Sequence, residues 1–339
     1  MNKIKSVFII GGTGLLGYHA SKEFLKRGVS VSTISLEGDK PGDWYPKDVN
    51  ILYGDIFLMS NTELKSMLTG FDALVYAAGP DDRFIPPAPS FNFFYERLVL
   101  ACERVILSAK EAGVKTCTVL NSYFSYFHRI YPEWKLAENH PYIKCRIMQA
   151  DKAIAAGDNT MKVSVLELPY IFGAMPDREV LWKQMLFERI RKMPIVMFPK
   201  GGTTIITVKQ AAEAICGAIE RGEHGKKYPV AGENMDWKQL LRIMLNAMGL
   251  HKRKIITIPV IFATWYAKSE SRRNKKRGLE SGLNHSKLMK DIQSRELYIN
   301  RDIGTYNELQ VSYGGVKEAI IESVIHSYPH LKSRKIRLI

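Results

Sequence analysis

With 339 residues, 46% of them apolar and 24% charged, a formal net charge of +15 and no low-complexity tract, the chain excludes a disordered or fibrous protein and has room for a large core and two lobes. Its longest apolar run toward the C-terminal half, 255–267, contains Pro259 and is too short to span a bilayer, so a cytoplasmic enzyme with no membrane partner is expected. Cys102, Cys117, Cys145 and Cys216 form no C-x-x-C pair, and Pro329 spoils a shared helical face for His326 and His330, which argues for reduced thiols and against a metal site.

The first predicted element is Val7-Phe8-Ile9-Ile10, four apolar residues that read as a strand buried on both faces of a parallel sheet. Gly11, Gly14 and Gly17 follow, and then Ala20, Phe24 and Leu25 at helical spacing. A strand feeding a helix through a glycine turn leaves unpaired N–H groups at the positive end of the helix dipole, where a dinucleotide diphosphate binds. Gly11 allows the tight turn, Gly14 lets the backbone approach the phosphates, and Gly17 lets the helix pack close to the sheet. Gly12, Thr13, Leu15 and Leu16 complete the cradle. Lys3 and Lys5 before an apolar run also fit a secretory leader, but four glycines interrupt its core and no clean cleavage site follows.

Val29 to Leu36 alternates apolar and small polar residues as a second strand, and Glu37 stands twenty residues beyond Gly17. An acid at that spacing hydrogen-bonds ribose hydroxyls and repels a 2′-phosphate, which favours NAD over NADP; Lys40 nearby pulls the other way, and Glu37 also reads as a turn residue before Gly38. Val49 to Asp55 reads as a third strand ending in Gly54-Asp55, with Asp55 either an acceptor for an adenine amino group or a turn cap. A helix over 61–68 leads to a fourth strand ending in Ala77-Ala78-Gly79, small enough for a cofactor to lie against. After a proline-rich loop at 81–89, helical spacing runs over 91–113 and a fifth strand over 114–120. This strand–helix alternation predicts an α/β fold, a Rossmann-type doubly wound parallel sheet, with a smaller, mostly helical C-terminal substrate lobe.

Asn121-Ser122-Tyr123-Phe124-Ser125 sits at the C-terminal end of the fifth strand, where open α/β sheets bind ligands. A helix then opens at His140-Pro141-Tyr142 and places Tyr142 and Arg146, four apart, on one face, with Lys144 elsewhere. With these residues the chain resembles the extended short-chain dehydrogenase/reductases of the NAD-dependent epimerase/dehydratase family. The likeness rests on the Gly11–Gly17 loop, Gly54-Asp55, Ala77-Ala78-Gly79, the Ser122 region, Tyr142 with its partner four residues on, and Leu168-Pro169-Tyr170-Ile171-Phe172-Gly173. It implies cofactor contacts at the glycine loop, Glu37, Asp55, Ile56, Ala77, Ala78, Gly79, Arg146 and Pro169. It also implies that Tyr142 moves a proton to or from a substrate hydroxyl while a serine holds the oxygen. Lowering a phenol from about 10 to near 7 takes roughly 4 kcal/mol. The family usually places a lysine four residues after the tyrosine; here Arg146 stands, which stabilises a phenolate but cannot give up its proton. Tyr123 can occupy the family's serine position, leaving Ser122 or Ser125 to serve. Arg97 stands where many relatives carry asparagine.

The predicted division is 1–168 plus about 203–222 for the NAD(P)-binding domain, and about 169–202 plus 223–339 for the substrate lobe. In that lobe Trp182, Met185, Leu186 and Ile190 read as a packing stripe, Arg178 lies near the cleft mouth, Thr203–Thr207 as a strand, 208–219 as a core helix, and Asp236 as a helix cap. Residues 255–265 read as apolar packing, and Lys268–Arg277 as a solvated basic loop. The expected function is an NAD(P)-dependent oxidoreductase or epimerase acting on a hydroxyl or carbonyl of a sugar nucleotide or small polar metabolite, with a homodimer as an open assembly. A cofactor-binding sensor or partner-binding module without turnover is the alternative. Nucleic-acid binding through 268–277 ranks last for want of aromatic–basic interleaving.

Overall fold

A computed structural model of the chain describes residues 3–303 and 305–331; the ends of the expected domain spans, at 1–2 and 332–339, lie outside the described residues. Among the described residues, thirteen strands run in chain order as β1 (Ser6–Ile10), β2 (Ser30–Ser35), β3 (Val49–Tyr53), β4 (Ala73–Tyr76), β5 (Thr116–Ser122), β6 (Lys162–Leu168), β7 (Tyr170–Phe172), β8 (Val196–Phe198), β9 (Gly202–Thr207), β10 (Lys227–Pro229), β11 (Glu233–Asp236), β12 (Ile255–Thr257) and β13 (Glu296–Leu297). The helices of the first half are α1 (Leu15–Lys26), α2 (Asn61–Leu68), α3 (Ser90–Phe94), α4 (Ala101–Glu111), α5 (Phe124–Ile130), α6 (Leu136–Asn139) and α7 (Pro141–Ala156). Those of the second half are α8 (Glu188–Lys192), α9 (Val208–Arg221), α10 (Trp237–Ala247), α11 (Val260–Lys276), α12 (His285–Leu288), α13 (Thr305–Leu309) and α14 (Val316–Ser327).

The large sheet is all parallel, in the order β10-β6-β5-β4-β1-β2-β3. Strand β1 shows why its buried residues, Val7–Ile10, are all apolar. Val7 and Ile9 pack with Phe24 of α1 and Ala211, Ala214 and Ile215 of α9, while Phe8 and Ile10 pack with Leu64, Leu68, Val105 and Ile106 on the opposite face. Successive side chains point to opposite faces, so a strand covered on both sides has no polar position. The chain winds outward one way through β1, β2 and β3 and the other way through β4, β5 and β6, so the carboxyl ends of β1 and β4 flank the topological switch point.

The second sheet joins β11, β9 and β13, with β7 also pairing β9. Sheet membership therefore departs from the expected division at two places. The strand at Gly202–Thr207 belongs to the smaller sheet, and only α9 after it returns to pack on α1. Lys227–Pro229, expected in the substrate lobe, forms the edge strand of the large sheet. The amphipathic pattern located α9 but carried no information on which sheet the preceding apolar strand joins.

The segment 268–277 is a second correction. It forms the C-terminal part of α11 rather than a loop. Lysine and arginine are good helix formers, no Gly or Pro interrupts 260–277, and Gly278 in the left-handed region (φ +68) ends the helix. The 255–265 run is likewise not all packing, since Ile256, Ile261, Phe262 and Trp265 are exposed. The helix expected over 91–113 is interrupted by a π-helical turn at Tyr95–Leu100. No described helix is long and apolar enough to cross a membrane. The four cysteines are free and buried, and the described residues hold no cluster of three or more metal-ligating side chains.

Candidate active site

The carboxyl edge of the large sheet gathers the predicted residues. Gly11 turns the chain after β1 in the left-handed region (φ +88), and a side chain there would meet the Ala77 carbonyl at 2.9 Å. A side chain at Gly17 would run into the Gly11 carbonyl oxygen and the Gly12 Cα, whereas one at Gly14 would meet only the Gly11 oxygen, at 3.3 Å. Gly11 thus makes the turn and Gly17 the close packing, while Gly14 lines the cleft. Gly14 caps α1 without a side chain, so the first-turn amides are open to an anion. Gly12 differs from its neighbours. Its N–H donates to Thr33 Oγ1 (2.9 Å) and its carbonyl accepts from Tyr45 Oη (2.9 Å), so it braces the loop and its amide is not free for a phosphate. Thr13 is buried, with its hydroxyl 3.1 Å from Ser35 Oγ.

Two connected spaces follow. One, of about 220 Å³, is lined by Thr13, Gly14, Leu15, Asp39 and Arg178 and by the segment 173–181. The other, of about 270 Å³, takes in Leu16, Ala77, Ala78, Gly79, Ser122, Tyr142, Arg146 and Pro169; Arg83 and Leu181 border both. Glu37 is exposed, two residues past the end of β2, and lines neither space. From the same turn, Asp39 does line the first space, ion-paired with Arg178. Lys40 lies over the Tyr53 ring at 5.1 Å. Asp55 Oδ1 accepts from the Phe57 amide at 2.9 Å, the turn-cap geometry, and Ile56 behind it is buried.

Tyr142 and Arg146 meet as their spacing predicts. Arg146 Nε donates to Tyr142 Oη at 2.8 Å, while its Nη1 donates to Gln149 Oε1 (2.9 Å) and the Leu120 carbonyl (3.3 Å). Phe94 stands edge-on to the Tyr142 ring at 5.3 Å, and the Tyr142 amide donates to Gly282 O at 2.9 Å. Burial pushes the Tyr142 phenol up to about 12, against the pull of the Arg146 charge. Of the serine candidates, Ser122 lines the cavity, its Oγ accepting from the Phe124 amide at 3.3 Å. Ser125 turns inward to Asn121 Oδ1 (2.9 Å). Tyr123 lines the cavity too, with its hydroxyl 2.9 Å from Thr203 Oγ1. Arg97 stacks over Phe57 and Phe93 at 5.2 and 4.9 Å.

Neither Asp82 nor Met185 is singled out for the cavity by the sequence. Asp82 is half-buried in the aperiodic loop after β4; burial first, then the neighbouring Asp81 charge, lifts its carboxyl to about 6. Met185, read as packing, also lines the cavity.

Site and fold together define a Rossmann-type α/β protein with a glycine-loop cleft at the switch point of its large sheet. The chain belongs to the NAD-dependent epimerase/dehydratase family, whose model matches residues 7–231. The NAD dependence of that family agrees with the cofactor expected from the glycine loop. Among curated proteins, human sterol-4-alpha-carboxylate 3-dehydrogenase, decarboxylating, is 29% identical over 123 residues, covering 36% of this chain and 30% of that protein. The bovine enzyme of the same name is 31% identical over 124 residues, 35% of this chain and 31% of that one, so the matches span about a third of those relatives. Among solved structures, Bordetella bronchiseptica WbmH in complex with NAD+ superposes with a TM-score of 0.68 at 16% identity, covering 96% of this chain and 99% of that one. UDP-N-acetylglucosamine 4-epimerase from Methanobrevibacter ruminantium M1, in complex with UDP-N-acetylmuramic acid, gives a TM-score of 0.68 at 15% identity, covering 97% and 99%. These two show the fold.

Proposed function

We propose that the chain is an NAD-dependent oxidoreductase or epimerase acting on a hydroxyl or carbonyl of a sugar nucleotide or small polar metabolite, with Tyr142 as its acid/base. The observation that carries the reading is the 2.8 Å contact from Arg146 Nε to Tyr142 Oη, in a cavity shared with Ser122 and continuous with the glycine loop. The large sheet with α9 serves as the cofactor domain, and the smaller sheet with the C-terminal helices roofs the substrate. The residues fit a dinucleotide: open first-turn amides at α1, a clear approach at Gly14, and small side chains at Ala77 and Ala78. When bound, the dinucleotide supplies the hydride donor or acceptor. Asp39, from the loop after β2, is the acid placed to meet the ribose. Arg146 holds the phenolate by charge, Tyr142 moves the proton at the substrate oxygen, and Ser122 Oγ donates to that oxygen.

Tyr142→Phe tests this on a panel of nucleotide sugars and small hydroxy or keto compounds. Turnover is expected to fall about 100-fold or more with dinucleotide affinity kept; undiminished turnover removes Tyr142 from the mechanism. A cofactor-binding module without turnover is favoured by one observation, the Arg146 guanidinium, which cannot give up a proton, bonded to the Tyr142 hydroxyl at 2.8 Å. It predicts tight dinucleotide binding and no hydride transfer to any compound of the panel.

A further inference from the structure

The solvent face of α11 does not fit a freely solvated helix. Trp265 is 78% exposed, Ile261 70% and Phe262 65%. Residues 261, 262 and 265 fall on one side of a helix, so the three form a single apolar ridge. The two-stranded ribbon just before α11 exposes further apolar residues. Ile256 of β12 (44% exposed) pairs in register with Met197 of β8 (54% exposed), and paired residues project from the same face of a parallel ladder. The next turns of the helix are cationic: Lys268, Arg272, Arg273, Lys275, Lys276 and Arg277 are all exposed. The only carboxylate between 260 and 277 is Glu270, 3.4 Å from Arg189. Lys252 and Lys254, just before β12, are exposed as well.

We propose that the β8–β12 ribbon and α11 form a peripheral docking surface for an anionic lipid bilayer. The Ile261–Phe262–Trp265 ridge enters the headgroup boundary, and the adjoining cations engage lipid phosphates. An exposed tryptophan beside aliphatic side chains suits the membrane–water interface, where an indole is half in hydrocarbon and half in water. A lysine/arginine-rich polar region beside an apolar one is the pattern of helices that lie on a membrane. A second copy of this chain is the poorer occupant. A twofold contact through α11 sets six cations of one copy near six of the other, and the one carboxylate on the helix itself, Glu270, is already paired with Arg189. A nucleic acid complements the charge but gives no reason for the aliphatic ridge. The mode is peripheral, since no described helix is long enough to span. The surface departs from the expectation of a solvated loop, and it does not depend on the proposed reaction.

Co-sedimentation of the full chain with vesicles of phosphatidylcholine alone and of phosphatidylcholine mixed with phosphatidylglycerol tests the surface. Binding is expected to the mixed vesicles only, weakening as salt rises, with a blue shift of tryptophan emission that Trp265→Phe removes. Ile261→Ser/Phe262→Ser/Trp265→Ser is expected to cut partitioning at least tenfold with an unchanged thermal unfolding profile and unchanged dinucleotide affinity. Because these side chains are exposed, the triple variant should fold; if it does not, the Trp265→Phe emission experiment decides alone. Failure of the unmutated chain to bind mixed vesicles overturns the proposal. So does equal partitioning by a folded triple variant, which reduces the contact to charge. A lipid-independent dimer that the triple variant loses assigns the ridge to a second copy and overturns it too.

Discussion

Arg146 holds three acceptors at once: the Tyr142 hydroxyl, the Gln149 side chain and the Leu120 carbonyl. A planar guanidinium can do this from one position, while an ammonium can meet them only as a point charge. Arg146→Met removes the donor to the buried Tyr142 hydroxyl, while Gln149 Oε1 keeps its bond from Asn121 Nδ2 (3.2 Å); the loss is about 1–3 kcal/mol, so chemical denaturation should show a lower midpoint than for Arg146→Lys. Since arginine cannot release its proton, a Tyr142 acting as acid/base would need another neighbour to exchange with solvent. Of the two carboxyls lining the cavity, Asp81 and Asp82, Asp81 is ion-paired with Arg83 while Asp82 is lifted toward neutral pH. Its charge pushes the Tyr142 phenol upward. Removing that charge favours the phenolate, so Asp82→Asn should shift the Tyr142 limb of the pH–rate profile to lower pH. It should also erase any limb near pH 6. An unmoved profile would detach Asp82 from the chemistry. Of these residues, Tyr142 and Arg146 were legible because a helix fixes the geometry of residues four apart. Asp82 was not, because a loop with no periodicity gives no clue to where its side chains point. Glu37 and Asp39 show the same limit on a smaller scale, two residues apart in a turn that only the folded backbone resolves.

Among the elements, the join between α7 and the 282–291 segment combines buried polar groups with a titratable one. His140, fully buried before α7, accepts from the Asn284 amide at Nδ1 (3.0 Å) and faces Asp291 at 3.4 Å through Nε2. Asn139 also donates to Asp291 at 2.7 Å. Burial lowers the His140 pKa from 6.5 to about 4, although Asp291 and its hydrogen bond pull the other way. The unfolded chain therefore binds a proton that the folded chain refuses between about pH 6.5 and 4. Stability from this site is complete above pH 6.5 and drains away as pH falls through that window. Denaturation series at neutral and mildly acidic pH should show the loss, and His140→Gln should flatten it. An equal pH slope in the variant would place the acid sensitivity elsewhere. The elements themselves were legible where one pattern dominates. Four apolar residues announced β1, and the glycine spacing placed the start of α1. The cationic half of α11 was misread because charge was weighed above helix propensity. The π-helical turn at Tyr95–Leu100 leaves no mark in residue spacing.

Taken whole, the molecule places its candidate cofactor cleft along a seam between two sheets. Apart from any ligand, the described contacts across that seam include Tyr123 to Thr203 (2.9 Å), His19 Nε2 to the Ala174 carbonyl (2.9 Å) and the Arg178–Asp39 ion pair. A ligand that touches the glycine loop on one side and 173–181 on the other adds to these contacts in the folded state alone. NAD should therefore raise the unfolding temperature, with about 2.7 kcal/mol of added stability at a hundredfold excess over its dissociation constant. The two outer glycines of the loop separate binding from folding. Gly14 has ordinary backbone angles (φ −82), and an added methyl meets only the Gly11 carbonyl oxygen, at 3.3 Å, so Gly14→Ala should lower the unliganded midpoint only slightly and suppress the NAD-induced rise. At Gly17 the added methyl collides with the backbone of Gly11 and Gly12, so Gly17→Ala should lower the midpoint before any ligand is added. Thermal unfolding of the three proteins with and without NAD reads both effects. A full NAD shift in Gly14→Ala would mean that the dinucleotide does not approach α1 at that point, and the polarity of the whole seam would have to be reassigned.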